Sequence, residues 1–115
     1  MKFSLKKTED FKKVYDKKNS YATKNIVLYI LKNVEMESNR LGISVSKKVG
    51  NSVVRHKLKR LMREVFRKNL DKIYDGYDFV VVFRVGSHEM NFFELNDDFL
   101  KLCKRHGIVK EEGRQ

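Results

Sequence analysis

The chain has 115 residues and a net charge of +11; 36% of its residues are charged, 41% are hydrophobic, and Phe and Tyr number 8 and 5. This length and this supply of large apolar side chains argue against a disordered chain and predict one domain, residues 1–115, with a small core. The single cysteine, Cys103, excludes an intramolecular disulfide, and the lack of a signal segment or a long apolar run predicts a cytoplasmic protein with no membrane partner.

The first predicted elements are a helix and a strand. In residues 8–17 (TEDFKKVYDK), Phe11, Val14 and Tyr15 recur at i, i+3 and i+4, which places them on one helix face. Residues 25–31 (NIVLYIL) are rich in β-branched and aromatic side chains, and this composition predicts a strand.

Two further strands flank the longest predicted helix. In residues 40–46 (RLGISVS), Leu41, Ile43 and Val45 alternate with small or polar residues, which is the period of a half-buried strand. Residues 79–85 (FVVVFRV) follow the turn sequence DGYD and predict the last strand.

The last predicted helix begins with a capping box and ends at a glycine. Asn91 and Glu94 have the spacing of a capping box, and Gly107 is suited to a helix C-terminus. Residues 108–115 are predicted to be a mobile tail. The apolar stripe of this helix comprises Phe92, Leu95, Phe99, Leu102 and Cys103.

The predicted elements follow the order α-β-β-α-β-α. No internal repeat or low-complexity stretch interrupts them. Helices mixed with adjacent strands favour an α+β fold, and we expect a two-layer sandwich with the helices on one face of a small mixed sheet.

The net charge is concentrated in the longest predicted helix and the turn before it. Residues 47–68 (KKVGNSVVRHKLKRLMREVFRK) hold nine Lys or Arg residues and one Glu, whereas the other 93 residues hold 17 basic and 14 acidic residues. At 100° per residue the apolar side chains gather on one face: Val54, Leu58, Leu61, Met62 and Val65. The cations gather on the next face, with His56 among them: Arg55, Lys59, Arg60, Arg63 and Arg67.

Cations also crowd the start of this helix, which carries Arg55, His56 and Lys57 but no carboxylate. That end of a helix dipole is positive and favours anions. Like charges at positions 55, 59, 63 and 67 repel one another, and Glu64 can relieve only part of the row. A bound polyanion would supply the missing counter-charge, and the free N–H groups at a helix start suit a phosphate.

Three interpretations of this helix remain open. A solvated surface is the commonest explanation of a charge run, although such surfaces usually intersperse both signs. A membrane-surface helix would have to place its apolar face in lipid, whereas the strands of this chain offer that face a better partner. A nucleic acid would bind the cationic face while the apolar face packs on the strands. Charge alone does not distinguish DNA from RNA.

Residues 41–67, LGISVSKKVGNSVVRHKLKRLMREVFR, closely resemble the signature of the bacterial ribonuclease P protein component. In that family a run SVSKK-x-G-N-A-V-x-R-N-R-x-K-R leads into a basic helix. Residues 9–31 also resemble the family's first helix and strand. The positions that match or continue the run are Ser44, Val45, Ser46, Lys47, Lys48, Gly50, Asn51, Val53, Arg55, Lys59, Arg60, Arg63 and Arg67.

The resemblance implies the non-catalytic protein subunit of an endoribonuclease (a hydrolase) whose RNA subunit removes the 5′ leader from precursor tRNA. The partners it implies are that catalytic RNA and precursor tRNA, with Mg²⁺ held through the RNA and the substrate. It also implies a ribosomal protein S5 domain 2-like fold with a left-handed β-α-β crossover. The implied RNA-binding residues are Lys47, Lys48, Asn51, Arg55, His56, Lys57, Lys59, Arg60, Arg63 and Arg67.

The chain departs from the family at two positions of the Arg-Asn-Arg trio, which falls on Arg55, His56 and Lys57. Lys57 keeps the positive charge but lacks the planar, two-pronged donor of arginine. His56 can still donate or accept a hydrogen bond, although its reach differs from that of an amide.

The resemblance also implies that Phe11, Tyr15 and Tyr29 bind the single-stranded leader, because aromatic rings stack on unpaired bases without requiring a sequence. Considered without the resemblance, Phe11 and Tyr15 at helical spacing are more often core residues. Both interpretations of these residues remain open.

No catalytic or metal site is predicted in the protein itself. His56, His88 and His106 are far apart in the sequence, and adjacent Asp97 and Asp98 point in different directions on a helix. Two alternatives to a ribonuclease P subunit remain: an RNA-binding structural or ribosome-associated protein of the same fold without a processing role, and a protein enzyme that acts on RNA.

Overall fold

The computed structural model describes residues 4–35 and 37–110. The helices are α1 (Thr8–Asp16), α2 (Ser52–Asn69) and α3 (Phe92–Arg105), and a 3₁₀ turn, Leu70–Lys72, follows α2. The strands are β1 (Ser20–Ala22), β2 (Ile26–Lys32), β3 (Arg40–Ser44) and β4 (Tyr77–Phe83).

The strands form one mixed sheet in the order β1-β2-β4-β3. β1 and β4 each pair antiparallel with β2, whereas β3 pairs parallel with β4. A parallel pair needs a crossover connection, and α2 supplies it between β3 and β4. The predicted α+β class with a mixed sheet is therefore confirmed.

The main core lies between the sheet and the helices α2 and α3. Alternate residues of β2 and β4 point into it, so that Leu28 and Phe79 are fully buried. The ring of Phe66 from α2 meets Phe79 edge-on at 5.3 Å, and Phe99 from α3 lies 6.2 Å from Phe66. These contacts tie both helices to the centre of the sheet.

Helix α1 covers the opposite face of the sheet, which differs from the prediction that all helices share one face. A second cluster there contains Leu5, Val14 and Val80, with Phe11 and Tyr15 packed against it. The physical reason is visible in β4, where residues 78–81 are all buried instead of alternating between buried and exposed. A continuous apolar run is the pattern of a strand that is covered on both faces.

Two short segments were not anticipated by the periodicity of the sequence. β1 has three residues, too few for an alternating pattern, and is held by its pairing with β2. The predicted mobile tail is wrong for residues 108–110, because Ile108 is buried and Val109 forms a β-bridge with Ile73. Residues 111–115 of that predicted tail lie outside the described residues.

The ends of α3 follow the predicted chemistry. The Asn91 side chain accepts a hydrogen bond from the Glu94 N–H, and the Glu94 carboxylate accepts one from the Asn91 N–H. At the other end Gly107 has φ of +75°, and the Ile108 N–H bonds to the Cys103 carbonyl. This 6→1 bond closes the helix in a Schellman motif and turns the chain back towards the core.

Candidate nucleic-acid interface

Helix α2 begins at a side-chain cap. The Oδ1 atom of Asn51 accepts a hydrogen bond of 3.0 Å from the Val54 N–H, and no acidic residue lies in the first turn. The preceding turn is tight, since a Cβ at Gly50 would lie 2.7 Å from Cγ1 of Val54. The positive end of the α2 dipole is thus left without a carboxylate.

One face of α2 is buried against the sheet and α3, as the sequence predicts. Leu58, Met62 and Val65 are fully buried, while Val54 and Leu61 pack at the margin of the core. Phe66 is also fully buried, although it was not among the residues assigned to the apolar face. Val53, which falls on the polar side, is 76% exposed.

The opposite face of α2 presents the cations to solvent; we call it the basic face. Among residues 4–35 and 37–110, ion pairs join Lys12 to Asp16 and Arg40 to Asp10 and Asp78, so none involves α2. Arg55 and Lys59 are half-buried at its edge. The exposed members of the basic face are His56, Lys57, Arg60, Arg63 and Arg67, and Lys47 and Lys48 are exposed in the turn before the helix.

Arg55 has an unusual environment at the start of α2. Its Nε atom is buried and has no hydrogen-bond partner within the described part of the chain. A buried guanidinium donor without an acceptor is costly, and an acceptor brought by a ligand would remove that cost.

The three candidate aromatic residues line the space between α1 and the sheet. The rings of Tyr15 and Tyr29 meet edge-on at 4.9 Å, and Phe11 lies 6.4 Å from Tyr15. All three side chains are half-buried, so each ring packs on the second cluster and keeps an accessible part. Burial raises the pKa of the Tyr15 hydroxyl, and its hydrogen bond to Ser44 acts in the opposite direction.

The absence of a side chain at Gly42 lets the Phe11 ring approach β3 closely. A Cβ at position 42 would lie 2.6 Å from Cζ of Phe11, which is closer than real Cβ contacts. The absence of a side chain on β3 thus creates the space that the ring occupies. Beside it lies a small cleft of about 110 Å³, whose lining includes Phe11, Ile43, Lys59 and Arg63. Phe11 therefore borders the same cleft as Lys59 and Arg63 of α2.

A larger cleft of about 360 Å³ opens near the other side of α1, and sequence reasoning did not anticipate it. At its base the Arg40 guanidinium donates two hydrogen bonds, of 2.9 and 2.8 Å, to the buried Asp78 carboxylate. This bidentate bond is the main cause of the raised Arg40 pKa. Lys7, Lys13 and Lys32 line the rim.

The described residues do not gather the ligands of a metal site. No group of three His, Cys, Asp or Glu side chains comes together within them. Cys103 is buried, which raises the pKa of its thiol to about 12. Within the same part of the chain, no helix combines the length and the apolar character needed to cross a membrane.

Comparison with known proteins agrees with this geometry. A family model described as Ribonuclease P matches residues 1–107. A ribonuclease P protein component from Lachnoclostridium phytofermentans is 48% identical over 95% of this chain and 93% of its own length, and one from Clostridioides difficile is 46% identical over 90% and 91%.

Solved structures give the same result. The RNase P protein of Staphylococcus aureus has a TM-score of 0.85 and 34% identity, covering 94% of this chain and 98% of that one. The RNase P protein of Thermotoga maritima has a TM-score of 0.80 and 34% identity, covering 89% and 96%. The chain therefore belongs to the ribonuclease P protein family.

Proposed function

We propose that this chain is the protein subunit of ribonuclease P, which binds the catalytic RNA and the 5′ leader of precursor tRNA and assists removal of the leader. The observation that carries the proposal is the basic face of α2, where exposed cations repeat without a carboxylate partner in the described chain. The cutting reaction itself is assigned to the RNA subunit.

The burial of α2 favours RNA over an anionic membrane as the partner. A helix that lies on lipid inserts its apolar face. In α2 that face is already occupied, since Leu58, Met62, Val65 and Phe66 are fully buried in the core. The side of α2 that remains exposed is its cationic face. A folded RNA presents phosphates that would bind such a face.

Within this proposal the residues of the basic face and its flanks contact the RNA. Arginines bind phosphate with a planar pair of donors, and lysines contribute a point charge. The cap uses the Asn51 carbonyl oxygen, so the Asn51 amide N–H₂ is the group available to RNA. The proposed RNA-binding residues are Lys47, Lys48, Asn51, Arg55, His56, Lys57, Lys59, Arg60, Arg63 and Arg67.

The leader is proposed to lie along α1 and to stack on Phe11, Tyr15 and Tyr29. The half-exposed rings support this assignment, because a fully buried ring could not reach a base. The cleft that Phe11 shares with Lys59 and Arg63 supports it further, since it places two cations beside one of the proposed stacking rings.

Mg²⁺ is proposed to enter with the RNA and the substrate. Hard divalent cations prefer oxygen ligands, and phosphates supply them. The described residues of this chain offer no clustered carboxylates for that purpose. The contribution of the protein would be to hold the phosphates in place.

Reconstitution tests the proposed function. Precursor tRNA is incubated at low Mg²⁺ with the protein alone, with the cognate catalytic RNA alone, and with both. We expect cleavage at the mature 5′ end only when both are present. Cleavage by the protein alone would favour a protein enzyme, and a protein without effect on the RNA would favour the RNA-binding protein of the same fold that has no processing role.

A further inference from the structure

A second group of cations gathers at the edge of the sheet that is remote from β3. Here the C-terminal half of α3 packs on β1 and β2, and the loop after β1 meets the end of β4. We call this region the β1–α3 surface. Its exposed members are Tyr21, Lys24, Arg84, Lys101, Lys104 and Arg105.

The centre of the β1–α3 surface is a stacked pair. The Arg105 guanidinium carbon lies 4.4 Å from the centroid of the Tyr21 ring. A guanidinium that stacks on an aromatic face is held in position, while the N–H groups at its edges stay free for an oxyanion. The Arg105 guanidinium is thus partly ordered before an anion binds, which lowers the entropic cost of binding.

His106 packs against Tyr21 and connects it to β2. Its ring meets the Tyr21 ring edge-on at 4.7 Å, and its Nε2 atom lies 3.0 Å from the Leu28 carbonyl oxygen. Because a carbonyl only accepts, Nε2 carries the proton and donates this bond. The bond fixes the imidazole to β2, so the Tyr21 ring that contacts it is held against the sheet.

The cations of this surface outnumber its carboxylates. Asp98 accepts a 2.8 Å hydrogen bond from the Thr23 hydroxyl, and Asp97 is the other nearby acid on α3. Arg84, which follows β4, donates a hydrogen bond to the Thr23 carbonyl oxygen and so brings a further cation to this surface. Among the described residues, no ion pair within 4.0 Å involves the cations of this surface.

The α3 dipole does not account for this arrangement. Cations in the last turn of a helix are favoured, and that explains Lys104 and Arg105. The effect fades beyond the last turn, so it does not explain Lys101. Nor does it explain Lys24 and Arg84, which come from other parts of the chain.

We propose that the β1–α3 surface is a second phosphate-binding surface for RNA, so that the protein contacts two separate RNA segments from opposite edges of its sheet. The strand order places three strand spacings, roughly 14 Å, between β1 and β3. This inference rests on the proposed function only in requiring an RNA partner.

Matched double variants test the second surface. Lys101→Ala/Lys104→Ala removes two charges from it, Arg60→Ala/Arg63→Ala removes two from the basic face, and Lys72→Ala/Lys110→Ala removes two exposed charges outside both. The probe is the cognate catalytic RNA, and its affinity is measured as a function of salt. We expect each of the first two variants to reduce the log–log salt slope by roughly 1.4 to 1.8, the value for two lost phosphate contacts.

The control pair sets the level of a general charge effect. If Lys101→Ala/Lys104→Ala changes the slope no more than the control pair does, the second surface is overturned while the basic face stands. If Arg60→Ala/Arg63→Ala also equals the control, the proposed function itself loses its support. Circular dichroism of every variant shows that the fold is retained.

Directed RNA cleavage tests whether two segments are bound. Cys103 is buried, so a thiol-specific iron chelate attaches to an introduced cysteine. Lys104→Cys reports on the β1–α3 surface, and Glu64→Cys reports on α2 without removing a cation. We expect cuts in two different segments of the catalytic RNA. Absence of cuts from position 104, with cuts from position 64, would overturn the proposal.

Discussion

Gly42 and Phe11 show how one missing side chain shapes the candidate leader site. The Phe11 ring occupies the space that a Cβ at position 42 would need, and Leu5 closes that space from another side at 3.2 Å. The sequence contains no local signal for this contact, because the two residues lie on different elements and meet only when α1 covers the sheet.

Gly42→Ala should therefore destabilise the protein through overpacking, by about 1 to 3 kcal/mol. The measurement is chemical denaturation of Gly42→Ala in the native background and in a Phe11→Leu background. We expect a smaller cost when the ring is absent, since the methyl group then finds space. Equal costs in both backgrounds would show that the ring does not depend on Gly42.

His106 gives stability a dependence on pH. Burial is the main cause of its lowered pKa, with Arg105 adding to the effect and the bond to Leu28 opposing it. The folded protein thus resists protonation of His106 more than the unfolded chain does. The corresponding stability is complete above the ordinary pKa, near 6.5, and is lost as pH falls through the lowered one.

Urea unfolding between pH 5 and 8 measures this contribution. We expect His106→Gln to lose less stability on acidification than the native chain, because glutamine cannot be protonated in that range. His88→Gln, at an exposed histidine, is the control and should follow the native profile. Parallel profiles for the native chain and His106→Gln would contradict the assignment.

At the scale of elements, the start of α2 combines a structural and a proposed binding role in one residue. The Asn51 side chain caps the helix, and asparagine and aspartate are similarly good caps. Asn51→Asp should retain stability within about 0.5 kcal/mol while adding a negative charge where RNA is proposed to bind. We expect weaker binding of the catalytic RNA with an unchanged denaturation midpoint. Unchanged binding would remove the helix start from the interface.

The basic face of α2 makes a quantitative prediction about salt. Arg60 and Arg63 are exposed and, within the described chain, have no carboxylate partner within 4.0 Å. Arg63→Ala alone should reduce the log–log salt slope of RNA binding by roughly 0.7 to 0.9. Arg63→Lys, which keeps the charge, is the matched control and should retain the slope. A native slope for Arg63→Ala would exclude a phosphate contact at that position.

At the scale of the whole molecule, the sequence predicts the class of fold and the basic face but not the layering. The i, i+4 repeat of cations opposite an apolar face fixes how α2 is oriented, because only one face can pack on strands. The position of α1 could have been inferred from the continuous apolar run of β4. Short β1 and the packed residues 108–110 depend on tertiary pairing, which periodicity does not record.

The candidate sites also differ in how much of each the sequence predicts. The basic residues lie close together in the sequence, so one helical projection gathers them. Arg40 and Asp78 are 38 positions apart, and Tyr21 and Arg105 lie still farther from each other. Contacts of this kind join separate elements, and a single sequence gives no reason to pair them before the sheet order is known.

The double burial of β4 has a consequence for hydrogen exchange. Phe79 and Val81 belong to the main core and Val80 to the second cluster, so the strand anchors the layers on both sides. Opening either layer alone leaves its amides bonded to β2 and β3. Amide protons of β4 should therefore exchange with deuterium only when the entire molecule opens, and their exchange free energy should equal that of global unfolding.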